Sequence, residues 1–236
     1  MQPRAVRAHL ISASEFRVAG DRLFVSPSLG FSEEAEFANR HQRAKARVEH
    51  LFGGYSNDAT IIVAADATSS MRYSPNEHAT IHTSPFGAYV VLGPEGFVSV
   101  DVIAHELAHA EHFRRVGYFR WLATPAWFRE GLAMQVDQRS EYSSAWLDRA
   151  AASGKAIPSV IELSTYAEFS RGDLTVNYAA ARREVAQILS RLGPRGASRF
   201  LESQRLIPNF LGQLEWAMEG VPAAQQDDED RREIAD

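Results

Sequence analysis

Residues 98–116 read VSVDVIAHELAHAEHFRRV and contain the motif HELAH at positions 105–109. Four residues along an α-helix correspond to about 40° of rotation and a rise of ~6 Å, so His105 and His109 project from the same face. This face also carries apolar side chains and is therefore predicted to be buried. The apolar residues are Val98, Val102, Phe113 and Val116. Two imidazoles in this arrangement can bind one metal ion, although two core histidines satisfied by protein groups would show the same spacing.

Glu106 lies beside the buried face of this predicted helix. Without a partner, a carboxylate and two imidazoles in that position would carry a desolvation cost on the order of several kcal/mol. A bound cation would offset this cost for all three groups. Burial therefore favours a metal site over two satisfied histidines, and a third ligand is needed to decide between them.

A candidate third ligand, Glu130, lies in a second helical stretch, TPAWFREGLAM, which starts at Thr124. Thr124 as N-cap and Pro125 at the first helical position predict a helix start, which places Glu130 in the second turn. Trp127 and Met134 lie on the same side as Glu130, so its carboxylate also points into an apolar environment and needs a counter-charge. Two imidazoles, one carboxylate and a water form the open coordination that is typical of catalytic zinc sites.

Other polar side chains near the motif are weaker candidates. His112 follows His109 by three residues and is an alternative third ligand or an outer hydrogen-bond donor. It lies ~10 Å along the helix axis from His105, however, which is a long span for one ion. Asp101 and Asp137 lie one or two turns from ligands and could orient the histidines. For an aspartate in a first helical turn, such as Asp101, interaction with the helix dipole is the commoner role.

The two strings together resemble the gluzincin zinc metallopeptidases, which have a peptidase MA-like domain. In that family HExxH on one helix is completed by a glutamate on the next helix, commonly within the string W-[FL]-x-E-G-[LI]-A. The resemblance covers residues 104–137 well, and the predicted strands before them resemble the small upstream sheet of that group. Roughly the first fifty and the last forty residues are not covered. It implies one zinc ion held by His105, His109 and Glu130, with Glu106 activating the bound water for cleavage of peptide bonds.

The resemblance also implies groups that assist the reaction or hold the substrate. Gluzincins often use a tyrosine downstream of the glutamate. The best match is Tyr178, at the start of a predicted helix, where packing on the core is the structural alternative. The run Ala88, Tyr89 and Val90 resembles the family's edge strand, which can pair with an extended peptide, although it could instead be an interior strand. Arg182, one turn beyond Tyr178, could bind a substrate carboxylate or form a surface salt bridge.

The remaining patterns predict an α+β fold in one domain. Three apolar runs are predicted strands: 59–65, 79–82 and 88–92. Seven segments have helical patterns: 32–52, 97–117, 125–138, 141–153, 176–192, 196–204 and 207–219. We expect a small, mostly antiparallel sheet packed on the HExxH helix, followed by a mainly helical C-terminal lobe. The domain is predicted to span 1–222, with a sheet-containing lobe over about 1–118 and a helical lobe over about 119–222, and residues 223–236 are charged and predicted to be disordered.

Composition restricts the remaining classes of protein. The chain is 45% hydrophobic with a formal net charge of −5, which gives no broad basic surface and argues against nucleic acid as a partner. It has no cysteines, so disulfides, thiolate nucleophiles and cysteine-ligated metals are excluded. The first thirty residues contain neither a signal-peptide core nor a transmembrane run, so the chain as given is expected to be cytoplasmic. A periplasmic or membrane-anchored protein with an upstream segment removed would begin in the same way.

The sequence thus predicts a zinc-dependent hydrolase, most simply a peptidase that acts on a peptide or protein substrate. Two alternatives stay open. One is a non-catalytic domain that keeps a zincin-like fold and serves in protein interaction. The other is a zinc hydrolase that acts on a non-peptide amide or ester.

Overall fold

The computed structural model describes residues 3–56, 58–206, 210, 212 and 213. The fold is mixed α+β with a helical C-terminal portion, which confirms the predicted fold class. Most of the predicted helix 207–219, the predicted domain end at 222 and the predicted disordered segment 223–236 lie outside the described residues. None of the helices in the described ranges combines the length and the apolar character needed to cross a membrane.

Short strands and longer helices alternate in the first half of the chain, and helices follow in the second half. The strands are β1 (Arg17–Gly20), β2 (Leu23–Val25), β3 (Thr60–Val63), β4 (Ala79–Ser84) and β5 (Gly87–Leu92). The helices are α1 (Pro3–His9), α2 (Phe31–Phe52), α3 (Ala67–Tyr73), α4 (Val100–Val116), α5 (Tyr118–Ala123), α6 (Ala126–Ala133), α7 (Ser144–Ala152), α8 (Tyr166–Phe169) and α9 (Leu174–Leu206). The predicted helix 125–138 therefore ends early, and the predicted helix 141–153 is a short 3₁₀ turn followed by α7.

The sheet has the strand order β1-β2-β3-β5-β4 and is mixed. β1 pairs with β2 and β4 with β5 in antiparallel fashion, whereas β3 is parallel to both of its neighbours. The prediction of a mostly antiparallel sheet is therefore wrong. One reason is β2, because three residues carry too little pattern to be recognised, and the other is that β3 pairs in parallel with β5 and not with β4, which follows it in the chain. Helix α2, between β2 and β3, supplies the crossover that a parallel pair requires.

Helices cover both faces of the sheet. In β3, Ile61 and Val63 belong to the apolar cluster formed with α2 and α4, and Ile62 belongs to the cluster formed with α1 and α3. This alternation follows from the two-residue period of a strand. It also explains why the run at 59–65 is continuously apolar, as is usual for a strand buried on both faces. The sheet is thus the central layer of this half of the chain.

Helix α4 carries the HELAH motif and is fixed at both ends. The Ser99 side chain accepts a hydrogen bond from the Val102 N–H at 3.3 Å, which caps the N-terminus. Gly117 follows the last turn with a φ of 79°, a conformation that favours glycine. The helix packs on β4 and β5 and contacts α2 and α6. His105 and His109 are therefore held on a rigid element within the core.

Helices α6 and α9 approach each other closely at Gly131. A Cβ atom at this position would lie 2.4 Å from the carbonyl oxygen of Ala181 and 2.7 Å from Cγ2 of Val185. No larger residue fits there, so the glycine after Glu130 sets the distance between the two helices. α9 itself is interrupted at Gly193, where φ is 64° and ψ is −179°. This break lies between the two helices that the sequence predicted in this region.

Candidate metal centre

Three buried donor atoms from two helices meet at one point. The Nε2 atoms of His105 and His109, both on α4, are 3.1 Å apart. The Oε2 atom of Glu130, on α6, lies 3.3 Å from Nε2 of His105 and 3.2 Å from Nε2 of His109. All three residues are at most 8% exposed. Together they could hold a metal ion.

The spacing of these atoms fits a shared cation. Tetrahedral zinc with bonds of ~2.0 Å places neighbouring ligand atoms about 3.3 Å apart, and the three separations here are 3.1, 3.2 and 3.3 Å. As a hydrogen bond, the contact between the imidazoles would need one Nε2 as donor and the other as acceptor. A cation would instead use a lone pair from each of the three atoms. The residues present therefore fit a divalent metal ion.

The charges in the cluster are coupled because burial removes the screening solvent. Burial alone would raise the pKa of Glu130, but the charge and hydrogen bonds of the two histidines hold the pKa of that carboxyl well below its usual range. Burial would likewise lower the pKa of His105, yet the hydrogen bond and charge of Glu130 raise it above its ordinary value. The site therefore keeps the Glu130 carboxylate ionised and favours a positive charge beside it. A bound metal ion would supply that positive charge.

Glu106 lies in the same region but is not one of the three donors. Burial raises the pKa of its carboxyl, an effect opposed by the positive charge of His105 and His109 and reinforced by Glu130. Its side chain lines both cavities that meet at the cluster. A carboxyl that lines a cleft can exchange a proton with a molecule bound there. Glu106 can therefore act on a molecule bound in the cleft.

Two cavities meet at the cluster and form one cleft with two arms. One arm, of about 460 Å³, is bounded by β4, Trp121 and Tyr166. The other arm, of about 340 Å³, lies on the side of Arg139 and Tyr142. The residues shared by both arms are Ala79, His105, Glu106 and Tyr178. His105 and Glu106 thus lie where the two arms join, whereas His109 and Glu130 line the larger arm.

The strand beside the cleft is β4 and not β5. β4 is the last strand in the sheet order and, in the described part of the chain, pairs only with β5. Four of its residues line the larger arm: Ala79, Thr80, Ile81 and Thr83. Ala88, Tyr89 and Val90 belong to β5, which lies between β3 and β4. The prediction that they form the edge strand is therefore wrong, and the interior alternative is correct.

Tyr178 lies at the cleft, whereas Arg182 does not. The Tyr178 ring centroid is 6.0 Å from that of His105. The charge of Glu130, followed by burial, raises the pKa of Tyr178 well above its ordinary value, so its hydroxyl stays a donor. Arg182 lines neither arm, and its backbone carbonyl accepts a hydrogen bond from Gln135. Substrate binding by Arg182 thus stays a prediction, and Arg139 is the arginine that lines the smaller arm.

Asp137 does not orient a histidine, contrary to the prediction. It is fully buried and forms an ion pair with Arg139, in which Nη2 lies 2.5 Å from Oδ2. The Nδ1 atoms of His105 and His109 have no hydrogen-bond partner among the described residues. Through its charge, Asp137 contributes to the raised pKa of His105. Its main role is therefore to fix Arg139 at the edge of the cleft.

His112 packs among aromatic rings and Asp101 pairs with an arginine, so neither belongs to the donor cluster. His112 lies outside the group of three donors, which excludes it as the third ligand of this cluster. Its ring contacts Trp121 and Phe128 in edge-on geometry, with centroid distances of 5.4 and 6.0 Å. Asp101 accepts a hydrogen bond from Arg47 at 2.7 Å, which joins α4 to α2. Glu130 is thus the carboxylate that completes the histidine pair.

Tyr166, which the sequence analysis missed, contacts the cluster directly. At the start of α8, its hydroxyl donates a hydrogen bond to Oε1 of Glu130 at 2.8 Å. Burial, followed by the charge of Glu130, raises the pKa of Tyr166 well above its ordinary value, so this donor keeps its proton. The local sequence shows a capping box between Thr165 and Glu168, which predicts a helix start but not its neighbour in space. Tyr166 therefore fixes the orientation of the carboxylate.

Tyr166→Phe is expected to weaken metal binding by about 10- to 100-fold, because a ligand that loses its outer hydrogen bond is less well oriented. The measurement is a competition titration against a chelator of known affinity. Tyr118→Phe, on α5, is the matched control and should keep the wild-type affinity. Equal affinities in Tyr166→Phe and the wild type would show that the hydroxyl does not support the ligand.

The site thus combines a three-donor cluster, a carboxyl with a raised pKa and two tyrosine hydroxyls at one cleft. Comparisons of the chain with protein families, curated proteins and solved structures found no match. The function is therefore argued from the chemistry of these residues.

Proposed function

We propose that the chain is a zinc-dependent peptidase of the gluzincin type, in which His105, His109 and Glu130 hold the metal ion. The observation that carries the proposal is the convergence of these three donors beside Glu106 in an open cleft. Two imidazoles and one carboxylate leave a coordination position for water, as in catalytic zinc sites, whereas structural sites usually close with four protein ligands. The resemblance of HELAH and WFREGLA to the gluzincin strings supports the same assignment.

Glu106 has the role of general base in this proposal. A bound zinc ion would lower the pKa of its water to about 7 and polarise the substrate carbonyl. The Glu106 carboxylate accepts the proton of the attacking water and delivers it to the leaving amine nitrogen. Because Glu106 lines both arms of the cleft, it is close to a substrate that crosses the cluster from either side.

Tyr178 and Tyr166 have different roles in the proposed reaction. Tyr178 lines both arms and keeps its proton, so it can donate to the carbonyl oxygen as negative charge develops there. The hydroxyl of Tyr166 is already bonded to Glu130 and holds the ligand carboxylate in place. Tyr178 is therefore the residue that assists the reaction, and Tyr166 is a positioning residue.

The shape of the cleft supports a peptide as the substrate. The outer edge of β4 is not paired with another strand in the described part of the chain. An extended peptide can add to such an edge through main-chain hydrogen bonds. The two arms also join at His105 and Glu106, and a cleft that extends from these residues in two directions suits a chain molecule better than a small ester.

The proposal is tested by incubating the zinc-loaded protein with a mixed-sequence peptide library and identifying the products by mass spectrometry. We expect cleavage that stops when a chelator removes the metal and returns when zinc is restored. Bound zinc without cleavage of any peptide would contradict the peptidase proposal and favour a zincin-like interaction domain. If the zinc-loaded protein cleaved no peptide but hydrolysed a parallel panel of small amides and esters, the other class of zinc hydrolase would be favoured.

A further inference from the structure

Arg129 is a buried cation in the wall of the cleft, one residue before Glu130. It is 7% exposed. Its guanidinium carbon lies 4.9 Å from the ring centroid of Trp121 and 4.6 Å from that of Tyr166. These side chains and Glu130 all line the larger arm of the cleft. The guanidinium is therefore held in one place beside the donor cluster.

Arg129 has no negative partner among the described residues. Its Nε atom is buried without a hydrogen bond, and no described carboxylate lies within the 4.0 Å of an ion pair. Both carboxylate oxygens of the neighbouring Glu130 are already engaged, by the histidines and by Tyr166. The partly buried Arg47 and Arg139, by contrast, pair with aspartates at 2.7 and 2.5 Å. A buried charge without a counter-charge destabilises the fold, so its presence at a cleft indicates an external anion.

The two aromatic rings limit the kind of anion that fits. Cation–π contacts occupy the flat surface of a guanidinium, so the N–H donors that remain point outward in its plane. Donors in that plane match the two oxygens of a carboxylate, which a lysine cannot bind in the same bidentate way. We propose that Arg129 binds a carboxylate of the substrate close to the bond that is cleaved. The inference rests on the proposed function and adds a substrate class to it: peptides with a C-terminal carboxylate or an acidic side chain beside the scissile bond.

The binding test uses zinc-loaded Glu106→Gln protein, in which the probes stay intact. One pair of probes is N-acetyl-tetraalanine as the free acid and as the C-terminal amide. A second pair is a tetraalanine amide with one internal glutamate and its glutamine match. Calorimetry should show that one acidic probe binds at least about tenfold more tightly than its neutral match. The pair that shows the preference identifies the carboxylate as terminal or as a side chain.

Arg129→Met, added to Glu106→Gln, should reduce this preference to about onefold, because methionine keeps apolar contacts with the rings but carries no charge. Arg183→Met is the matched control, since Arg183 pairs with Asp148 at 3.1 Å outside the cleft and should leave the preference unchanged. A preference that survives in Arg129→Met would assign the carboxylate to the metal ion and overturn the proposal. Equal binding within both probe pairs in the parent protein would overturn it as well.

Thermal stability gives a readout that does not depend on activity. Removal of the unpartnered charge offsets the loss of its two ring contacts, so the melting temperature of Arg129→Met should be no more than about 5 °C below that of the wild type. A fall of more than about 5 °C would show that Arg129 serves the fold and would overturn the proposal. Cleavage of the peptide library tests the peptidase separately. A carboxylate preference without cleavage would retain Arg129 as an anion site in a protein that is not a peptidase.

Discussion

Glu106→Gln is expected to lower kcat for peptide cleavage by about 10³-fold while the protein keeps its metal ion. Glutamine has nearly the same shape but cannot accept the proton of the attacking water, and a positioned general base contributes about 10²- to 10⁴-fold. The three donor side chains are unchanged by this substitution. The measurement combines steady-state kinetics on a peptide found in the library with zinc content per chain.

Glu49→Gln provides the matched control for this experiment. Glu49 is exposed on α2, and its Oε1 atom lies 3.7 Å from Nζ of Lys45. Loss of the Glu49 charge should therefore change neither kcat nor zinc content. Two results would count against the proposed base. One is wild-type activity in Glu106→Gln, and the other is loss of zinc from that variant, since it would make Glu106 part of the metal site.

His109→Ala is expected to abolish zinc binding and peptide cleavage together. The Nε2 atom of His109 lies within 3.2 Å of both other donor atoms. Its removal leaves two ligands where a catalytic zinc site needs three. In the wild type, zinc should raise the melting temperature, because a ligand of the native state stabilises it by mass action. In His109→Ala this zinc-dependent rise should disappear.

The control for this second experiment is His50→Ala, because His50 is an exposed histidine in the last turn of α2. It should retain one zinc ion per chain and the full zinc-dependent rise in melting temperature. If His109→Ala still bound one zinc ion with wild-type affinity, His109 would not be a ligand and the proposed metal centre would be wrong.

The donor cluster could be predicted from the sequence because helix geometry determines most of it. The spacing of His105 and His109 places both imidazoles on one face of any helix, whatever the rest of the fold. The helix start at Pro125 and the apolar neighbours of Glu130 indicate a second buried carboxylate. A close approach of two such helices is then the simplest way to satisfy all three groups, and the structure has this arrangement.

The walls of the cleft could not be predicted in the same way, because they depend on strand order and on distant segments. The run GAYVVL has the stronger apolar pattern because β5 is interior, whereas ATIHTS is the edge strand and has a weaker one. Tyr166 bonds to Glu130, from which it is separated by 36 positions in the sequence. A local sequence pattern cannot predict such a contact. No sequence pattern singles out Arg139, and tertiary packing alone places it in the wall of the cleft.

Helix α4 is packed on the sheet, and α6 is packed on α9 through Gly131. The donors of the candidate metal centre thus come from two neighbouring helices, each of which also packs on a different further element. A bound ion would work as a cross-link between them, in a protein whose lack of cysteine rules out a disulfide for that purpose. Its removal would loosen the contact between α4 and α6 before it affected the integrity of either helix.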